Sequence, residues 1–523
     1  MSGPAPTTDA TYALQTSRLL EAVNADPWGQ VRPSPYETAR VISLAPWLHG
    51  QDDRISWLLN QQSRYGTWGE GTHPYQLIPT LSAVEAALAL LGRDHERLLH
   101  GTHNRLVTAV TRGLTALAAF PCAGRHPDTA AAEFIVPALV ADVNLHLDRL
   151  DPAARPSLGP LHRGPRLHPP YGLDPAAPGR LARRLGAASA LPLKVHHTFE
   201  VVAPRCGALT PVAPDGLLGS SPAATAAWVN VLSPSPERTS AVTALEAAAA
   251  RYGGLFPEAV PISVFERLWT LAALAQAGLP KSFLPTARAW IHRIYDRRGV
   301  RGAPDLAPDA DDTAMAVHVS VLLDEARSPD CLRAFEAGDH FACYVGEDTG
   351  SVTANAHVLR ALAGYVRRHP NRAADYSRMI AKARNWLCAQ QTPDGYWTDK
   401  WHASPYYATA RCVIALADAG DEATRPAIES ATRWAARTQR DDGSWGIWSG
   451  TAEETAYGAQ ILLHARPHTA SLTRAETALA AYLDAPEHQS PALWHDKTLY
   501  APEAMIRAEA LAAHELLRIA REG

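Results

Sequence analysis

The sequence predicts an all-α protein assembled from α/α barrels, on three observations. From Ile55 onward, helical segments of about 12–18 residues alternate with Gly, Pro and Asp turns. Runs of β-branched residues long enough for a strand are few. The pattern Q-x-x-x-G-x-W then occurs three times, at Gln62/Gly66/Trp68, Gln391/Gly395/Trp397 and Gln439/Gly443/Trp445, each time ahead of a new helix. A Gly in that position lets the chain reverse with positive φ after a helix. The Gln amide can tie the turn to the next helix, and the Trp can pack over the junction. Repeated helical hairpins of this kind cannot bury their apolar faces singly, so they stack and close into barrels.

Taken in order, Tyr12, Leu19, Leu20 and Val23 share one face of a helix over 12–25, and Pro33, Pro35 and the stretch Ser34 to Thr38 interrupt the pattern. The spacing next predicts helices over 78–92, 103–120, 132–150, 222–232, 239–252, 262–278, 312–326, 353–368, 376–389, 405–418, 424–438, 453–465, 473–485 and 502–521. Residues 151–180, rich in Pro, Arg and Gly, read as an irregular surface loop.

A chain of 523 residues suggests two or three domains, and 46% hydrophobic residues is ordinary for a globular protein. The formal charge of −4, without a basic stripe, gives no reason to expect nucleic acid as a partner. Cys122, Cys206, Cys331, Cys343, Cys388 and Cys412 lack paired spacing, which points to a reducing compartment rather than to a disulfide framework or a zinc site. The N-terminus shows no basic-then-apolar leader, and no run of about 20 apolar residues suggests a membrane span. The expectation is a soluble, cytoplasmic protein.

Chemistry concentrates at Asp309-Ala310-Asp311-Asp312, directly before an apolar helical run. A carboxylate opening a helix accepts the orphan backbone N–H groups there, and Asp312 is placed to be that cap. Asp309 and Asp311 are then left as a close pair that cannot both ionise cheaply, so one retains its proton. A retained proton in a dry site is what protonating a carbon–carbon double bond requires. A Ca²⁺-type loop or a plain acidic cap is the competing reading.

Beyond this point the argument rests on likeness. The three turn repeats together with Asp309 to Ala314 resemble the class II terpene cyclases, and the bacterial class II diterpene cyclases most closely. Ser34-Pro35-Tyr36-Glu37-Thr38-Ala39 is similar to the family's S-A-Y-D-T-A, and Glu133 to Leu139 to its F-E-x-x-F-P-S-L. His197-Thr198-Phe199-Glu200 is similar to its H-S-L-E, Pro261 to Trp269 to its P-V-D-L-F-E-R-L-W, and Leu493 to Tyr500 to its L-W-x-x-K-T-L-Y. The resemblance implies a βγ pair of barrels. Residues 1–46 would form the first segment of the β domain, residues 47–258 a γ barrel inserted into it, and residues 259–523 the rest of the β barrel, with no class I α domain. It also implies that Asp311 is the general acid, assisted by Asp309 and Asp312, and that a linear prenyl diphosphate is cyclised with its diphosphate retained.

Other roles follow from the same likeness. His357 falls where relatives place a hydrogen-bonding partner for the acid, with Asn355 a weaker neighbour; a core histidine is the alternative. His197 matches a residue that holds a catalytic-base water in plant enzymes making the ent isomer of copalyl diphosphate. Its Asn partner is replaced here by Glu258, which is either a base or a turn residue. Mg²⁺ is expected with the diphosphate, through Glu133 and Asp128. Lys194, Lys400 and Lys497 are candidate diphosphate contacts, against the bland alternative of exposed lysines. Tyr344, Trp401, Tyr406 and Tyr407 are candidate lining aromatics, against core packing.

The expected reaction is conversion of geranylgeranyl diphosphate to a bicyclic, copalyl-type diphosphate, followed in a pathway by a separate class I synthase or a phosphatase. The alternatives are farnesyl diphosphate going to drimenyl diphosphate, and clerodane- or halimane-type products. A glycan hydrolase or lyase on the same barrel is the different-class alternative, and it would need two carboxylates facing a polar groove.

Overall fold

The computed structural model describes residues 8–26, 28–93, 100–120, 126–153, 156–187, 191–203, 216–464, 469–485 and 489–522, so Cys122 and Cys206 lie outside the described residues. The chain divides into two compact units. The first comprises residues 1–30, 262–493 and 501–523; the second comprises 31–261 and 494–500.

In the first unit the inner helices Phe265–Ala277, Ala310–Leu322, Val352–Arg368, Pro405–Ala419, Ala452–Leu463 and Glu503–Glu522 pack each against the next, and the last returns to the first. That closes an α/α barrel. The helices Leu284–Ile294, Ala373–Gln390, Arg425–Arg437 and Thr469–Leu483 lie outside the ring, with Thr8–Ala25 against its seam. Inner helices are buried nearly all round, as Val352 to Tyr365 shows residue by residue. Their starts are capped by Asp309, Ser351, Ser404 and Thr451, whose side chains accept backbone N–H groups of the first turn.

The second unit repeats the plan on a smaller ring, built from Pro35–Leu44, His73–Arg93, Ala132–Arg149, Phe199–Val202 and Pro222–Val231. The helix His73–Arg93 is long and apolar enough to cross a membrane by length and composition, but 83% of its apolar window is buried inside the protein. Burial in a core explains that composition.

The three repeat turns share one geometry. Gln62, Gln391 and Gln439 each donate twice from Nε2, to the carbonyl of the turn Gly at 2.9–3.1 Å and to a carbonyl of the following outer helix (Ala109, Ala427, Ser471) at 2.9–3.0 Å. Trp68, Trp397 and Trp445 each donate Nε1–H to a carbonyl of the preceding helix at 2.7–2.8 Å. The glycines have φ of +90°, +98° and +85°, and a Cβ on any of them would meet an outer-helix carbonyl oxygen at 2.5–2.7 Å. Only glycine fits there, for both reasons.

Four differences from the sequence reading stand out. Helices Pro35–Leu44, Gln51–Asn60 and Leu284–Ile294 form where no helix is expected. In the first, Pro35 sits at N1 behind the cap Ser34, so it starts a helix instead of ending one. The expected loop over 151–180 contains Gly159–His162 and the start of Ala177–Gly186. The boundary expected at 46/47 falls at 30/31, because Pro35–Leu44 packs on His73–Arg93 and Pro222–Val231. Trp494–Tyr500, expected in the β domain, belongs to the second unit, where it forms a short antiparallel hairpin.

Candidate active site

Asp309 opens the helix Ala310–Leu322 in extended conformation, and its Oδ1 accepts the Asp312 N–H at 2.7 Å. The cap is therefore Asp309, not Asp312. An N-cap side chain reaches the N–H three residues on, so Asp309 and Asp312 are drawn together while Asp311 turns away. The proton-retaining pair is accordingly Asp309 with Asp312, rather than Asp309 with Asp311. Burial, and to a smaller degree the charge of Asp311, push Asp309 up to about 7. Burial and the charge of Asp309 push Asp312 well above the usual carboxylate range. No Lys or Arg among the described residues ion-pairs with either, so burial favours the protonated form of both.

Asp311 has a different setting. Its side chain is 16% exposed, and His357 Nδ1 lies 2.5 Å from its Oδ1. His357 is buried on Val352–Arg368, the neighbouring inner helix, and its Nε2 has no hydrogen-bond partner among the described residues. The Trp269 ring stands edge-on to the imidazole, at 5.6 Å between centroids and 83°. Trp269 Nε1 donates to the Tyr407 hydroxyl at 3.1 Å, and Tyr407 is raised well above its ordinary value by burial and by the charge of Asp311. Trp269 thus touches both His357 and Tyr407, a role that its place among the apolar positions of Phe265–Ala277 does not advertise.

The remaining first-unit candidates divide. Asn355 is buried and bonds the backbone of Phe341 and Ser351, which makes it structural. The Cys343 carbonyl accepts the Ala310 N–H at 2.8 Å, bringing the Cys343–Tyr344 turn to the acidic end of the barrel. Asp399 caps Val352–Arg368, accepting from Val352 N at 2.6 Å, and also accepts from Trp401 N at 3.1 Å, so the Lys400–Trp401 turn is fixed to the helix that carries His357. Lys400 lies over the Trp401 ring at 5.1 Å and 3.9 Å from Glu347. Tyr406, in contrast, stacks on Trp434 at 4.6 Å on the outer side of its helix, while Tyr407 accepts from Trp269 and feels the charge of Asp311. Successive helical residues point about 100° apart, and one position decides the matter.

In the second unit, Lys497 is fully buried and bonds Glu37 at 2.8 Å, Glu200 at 2.8 Å and Ser221 at 2.6 Å. All three ammonium protons are engaged, so Lys497 is a structural cation and not a diphosphate contact. Burial alone would lower it, but Glu200 and Glu37 leave it raised. Glu258 is buried at 1% exposure, accepts Thr498 N–H at 2.9 Å, and is pushed up to about 8 by burial and the charges of Asp496 and Glu37. It is not an exposed turn residue. His197 bonds Gly219 O through Nδ1 at 2.6 Å and Asp496 Oδ1 through Nε2 at 2.7 Å. Lys194 is exposed on the short helix Leu193–His196. Glu133 is exposed in the first turn of Ala132–Arg149, and Asp128 is exposed in the preceding segment. Among the described residues no group of three or more His, Cys, Asp or Glu is placed to hold a metal.

A closed α/α barrel that presents D-x-D-D at the head of an inner helix is the arrangement expected of a class II terpene cyclase, and comparison with known proteins agrees. Residues 339–495 match the squalene-hopene cyclase C-terminal domain. A copalyl diphosphate synthase of Streptomyces cyslabdanicus is 53% identical over 98% of this chain and 97% of its own. A labda-7,13-dienyl diphosphate synthase of Streptomyces clavuligerus is 49% identical over 97% of this chain and 93% of its own. The solved ent-copalyl diphosphate synthase from Streptomyces platensis superposes with a TM-score of 0.87 at 40% identity, covering 97% of this chain and 99% of that one. The chain belongs to the class II diterpene cyclases.

Proposed function

We propose that this chain cyclises geranylgeranyl diphosphate to a bicyclic, copalyl-type diphosphate, with Asp311 as the general acid. One observation carries the assignment of the acid. Asp309 is committed to the helix cap and Asp312 is buried against Gly302, where a Cβ would come within 2.9 Å of its Oδ2. Asp311 is the one of the three whose side chain is partly open, at 16% exposure, with one oxygen held by His357, whereas Asp312 Oδ1 is buried without a partner. In the reaction the Asp311 O–H bond breaks as a C–H bond forms at the distal alkene. The tertiary cation is attacked by the next double bonds in turn, and loss of a proton from a carbon next to the final cation (the methyl group, for a copalyl-type product) restores neutrality, so that substrate and product are isomers. His357 orients the carboxyl and stabilises the carboxylate left behind. The faces of Trp269 and Tyr407 are suited to positive charge by about 0.5–2 kcal/mol each.

The diphosphate is not consumed and needs counter-charge. Glu133 and Asp128 are accessible carboxylates without a preformed cage, a donor set that fits Mg²⁺ retaining water and phosphate oxygens rather than an all-protein site. In this reading they meet the diphosphate together with Lys194, and bound Mg²⁺ would supply charge neutralisation there. A cytoplasmic location, and a class I synthase or phosphatase acting next, belong to the same reading. Relatives at 53% and 49% identity are named for different diphosphates, so overall similarity does not choose among product isomers.

Incubation with geranylgeranyl or farnesyl diphosphate and Mg²⁺, then dephosphorylation and mass spectrometry, tests the proposal. A bicyclic alcohol formed from geranylgeranyl diphosphate by the wild type but not by Asp311→Asn is expected. Preference for farnesyl diphosphate would replace the substrate, and no cyclised product from either would remove the reading.

A further inference from the structure

His197 sits between two atoms that can only accept. A backbone carbonyl, that of Gly219, lies 2.6 Å from Nδ1, and a carboxylate oxygen, Asp496 Oδ1, lies 2.7 Å from Nε2. A neutral imidazole carries one N–H and would have to set its bare nitrogen lone pair against one of these oxygens at contact distance. Only the imidazolium, with both nitrogens donating, satisfies both.

The surroundings hold this arrangement rigidly. Gly219 has φ +56°, and a Cβ there would meet the backbone nitrogen of His197 at 2.3 Å, so no other residue brings its carbonyl so close. Asp496 is anchored by its own backbone, which accepts from Ala130 N at 2.9 Å and donates to Thr498 O at 2.9 Å. The charged groups around the ring are Asp496 and Lys497 on the hairpin, Glu258 on the segment before Pro261, Glu37 on Pro35–Leu44 and Glu200 on Phe199–Val202. Even with Glu258 pushed toward its neutral form, carboxylates outnumber the one cation, Lys497, which favours charge on the imidazole. Burial works against it, but Asp496 leaves His197 raised and is itself lowered by His197. Meanwhile Glu200 Oε2, Glu258 Oε2 and Asp496 Oδ2 are buried without hydrogen-bond partners, so the spare acceptor capacity of the cluster is all on carboxylates.

We propose that His197 is a permanently protonated positioning residue, an imidazolium that fixes the hairpin 494–500 through Asp496, and not the acceptor of the proton lost at the end of cyclisation. The second half rests on the cyclase reading above; the first half does not. Histidine-selective ¹⁵N labelling of the full chain, with His197 assigned by its disappearance in His197→Gln, reads the ionisation directly. Both ring nitrogens are expected to stay protonated from about pH 6 to about pH 8, a range in which an ordinary imidazole titrates. In Asp496→Asn, His197 is expected to titrate inside that range. A wild-type titration step within it, a bare-nitrogen resonance, or an unchanged His197 in Asp496→Asn would each overturn the proposal. In product assays His197→Gln is expected to lower total cyclised product about tenfold at an unchanged product ratio. New hydroxylated or double-bond isomers would restore His197 as the acceptor. Absence of product from wild type would strike the cyclase reading while leaving the ¹⁵N result intact.

Discussion

The Asp309–Asp312 cluster of the first unit and the Glu37–Glu200–Glu258–Asp496 cluster of the second both bury several carboxyl groups, and they differ in whether cations stand among them. In the second, Lys497 stands between Glu37 and Glu200 at 2.8 Å from each, and His197 stands against Asp496 at 2.7 Å. In the first, no cationic side chain ion-pairs with Asp309 or Asp312 among the described residues, and burial pushes both carboxyls up. A carboxylate matched by an ammonium is fixed charge and serves the architecture. A carboxyl matched by a proton holds something that can be moved. The same residue type is therefore held as fixed charge where a cation meets it and pushed toward its protonated form where none does.

Breaking each cluster at its centre gives the largest effects. Asp311→Asn keeps the shape of the acid and removes its proton; we expect cyclisation to fall by roughly 1,000-fold or more with an unchanged circular dichroism spectrum. Loss of helix in that variant would move Asp311 from chemistry to architecture. Lys497→Met leaves Glu37 and Glu200 buried without their cation, and about 3–5 kcal/mol of stability should be lost in urea unfolding. A loss below about 1 kcal/mol would mean that protons can replace the ammonium, erasing the contrast between the clusters.

Finer tests sharpen the comparison. His357→Phe retains the ring but not the hydrogen bond to Asp311, and a drop in kcat of about 100-fold with little change in KM is expected. If KM rises instead, His357 binds substrate. The pH dependence comes last. Because Asp309 is raised from 3.8 to about 7, the folded state binds more protons than the unfolded chain between those values. Its stabilising contribution is complete below about pH 4 and is lost as pH rises through about 7. Asp309→Asn, which can still cap the helix, should flatten that slope in unfolding measured at pH 5 and pH 8. An unchanged slope would place the retained proton elsewhere.

Periodicity, capping residues and the Q-x-x-x-G-x-W turns are local, and what they encode is realised locally. The inner helices of the first unit, the Gly at +85° to +98° in each turn and the D-x-D-D run at a helix start could all be read along the chain. The all-α class and the family came with them. His357 was legible only by likeness to relatives, because a histidine inside an apolar helix looks the same whether or not a carboxylate faces it. The tertiary structure decided the rest: which Asp caps and which meets His357, that Tyr407 rather than Tyr406 bonds Trp269, and that Lys497 meets Glu37 and Glu200 instead of a diphosphate. The cap is made within one turn, but the partners of Tyr407 and Lys497 lie far along the chain, 138 positions away at Trp269 and 297 and 460 away at Glu200 and Glu37. Sequence sets which side chains can carry charge; burial and the chosen neighbour set whether that charge is balanced by an ion or by a proton.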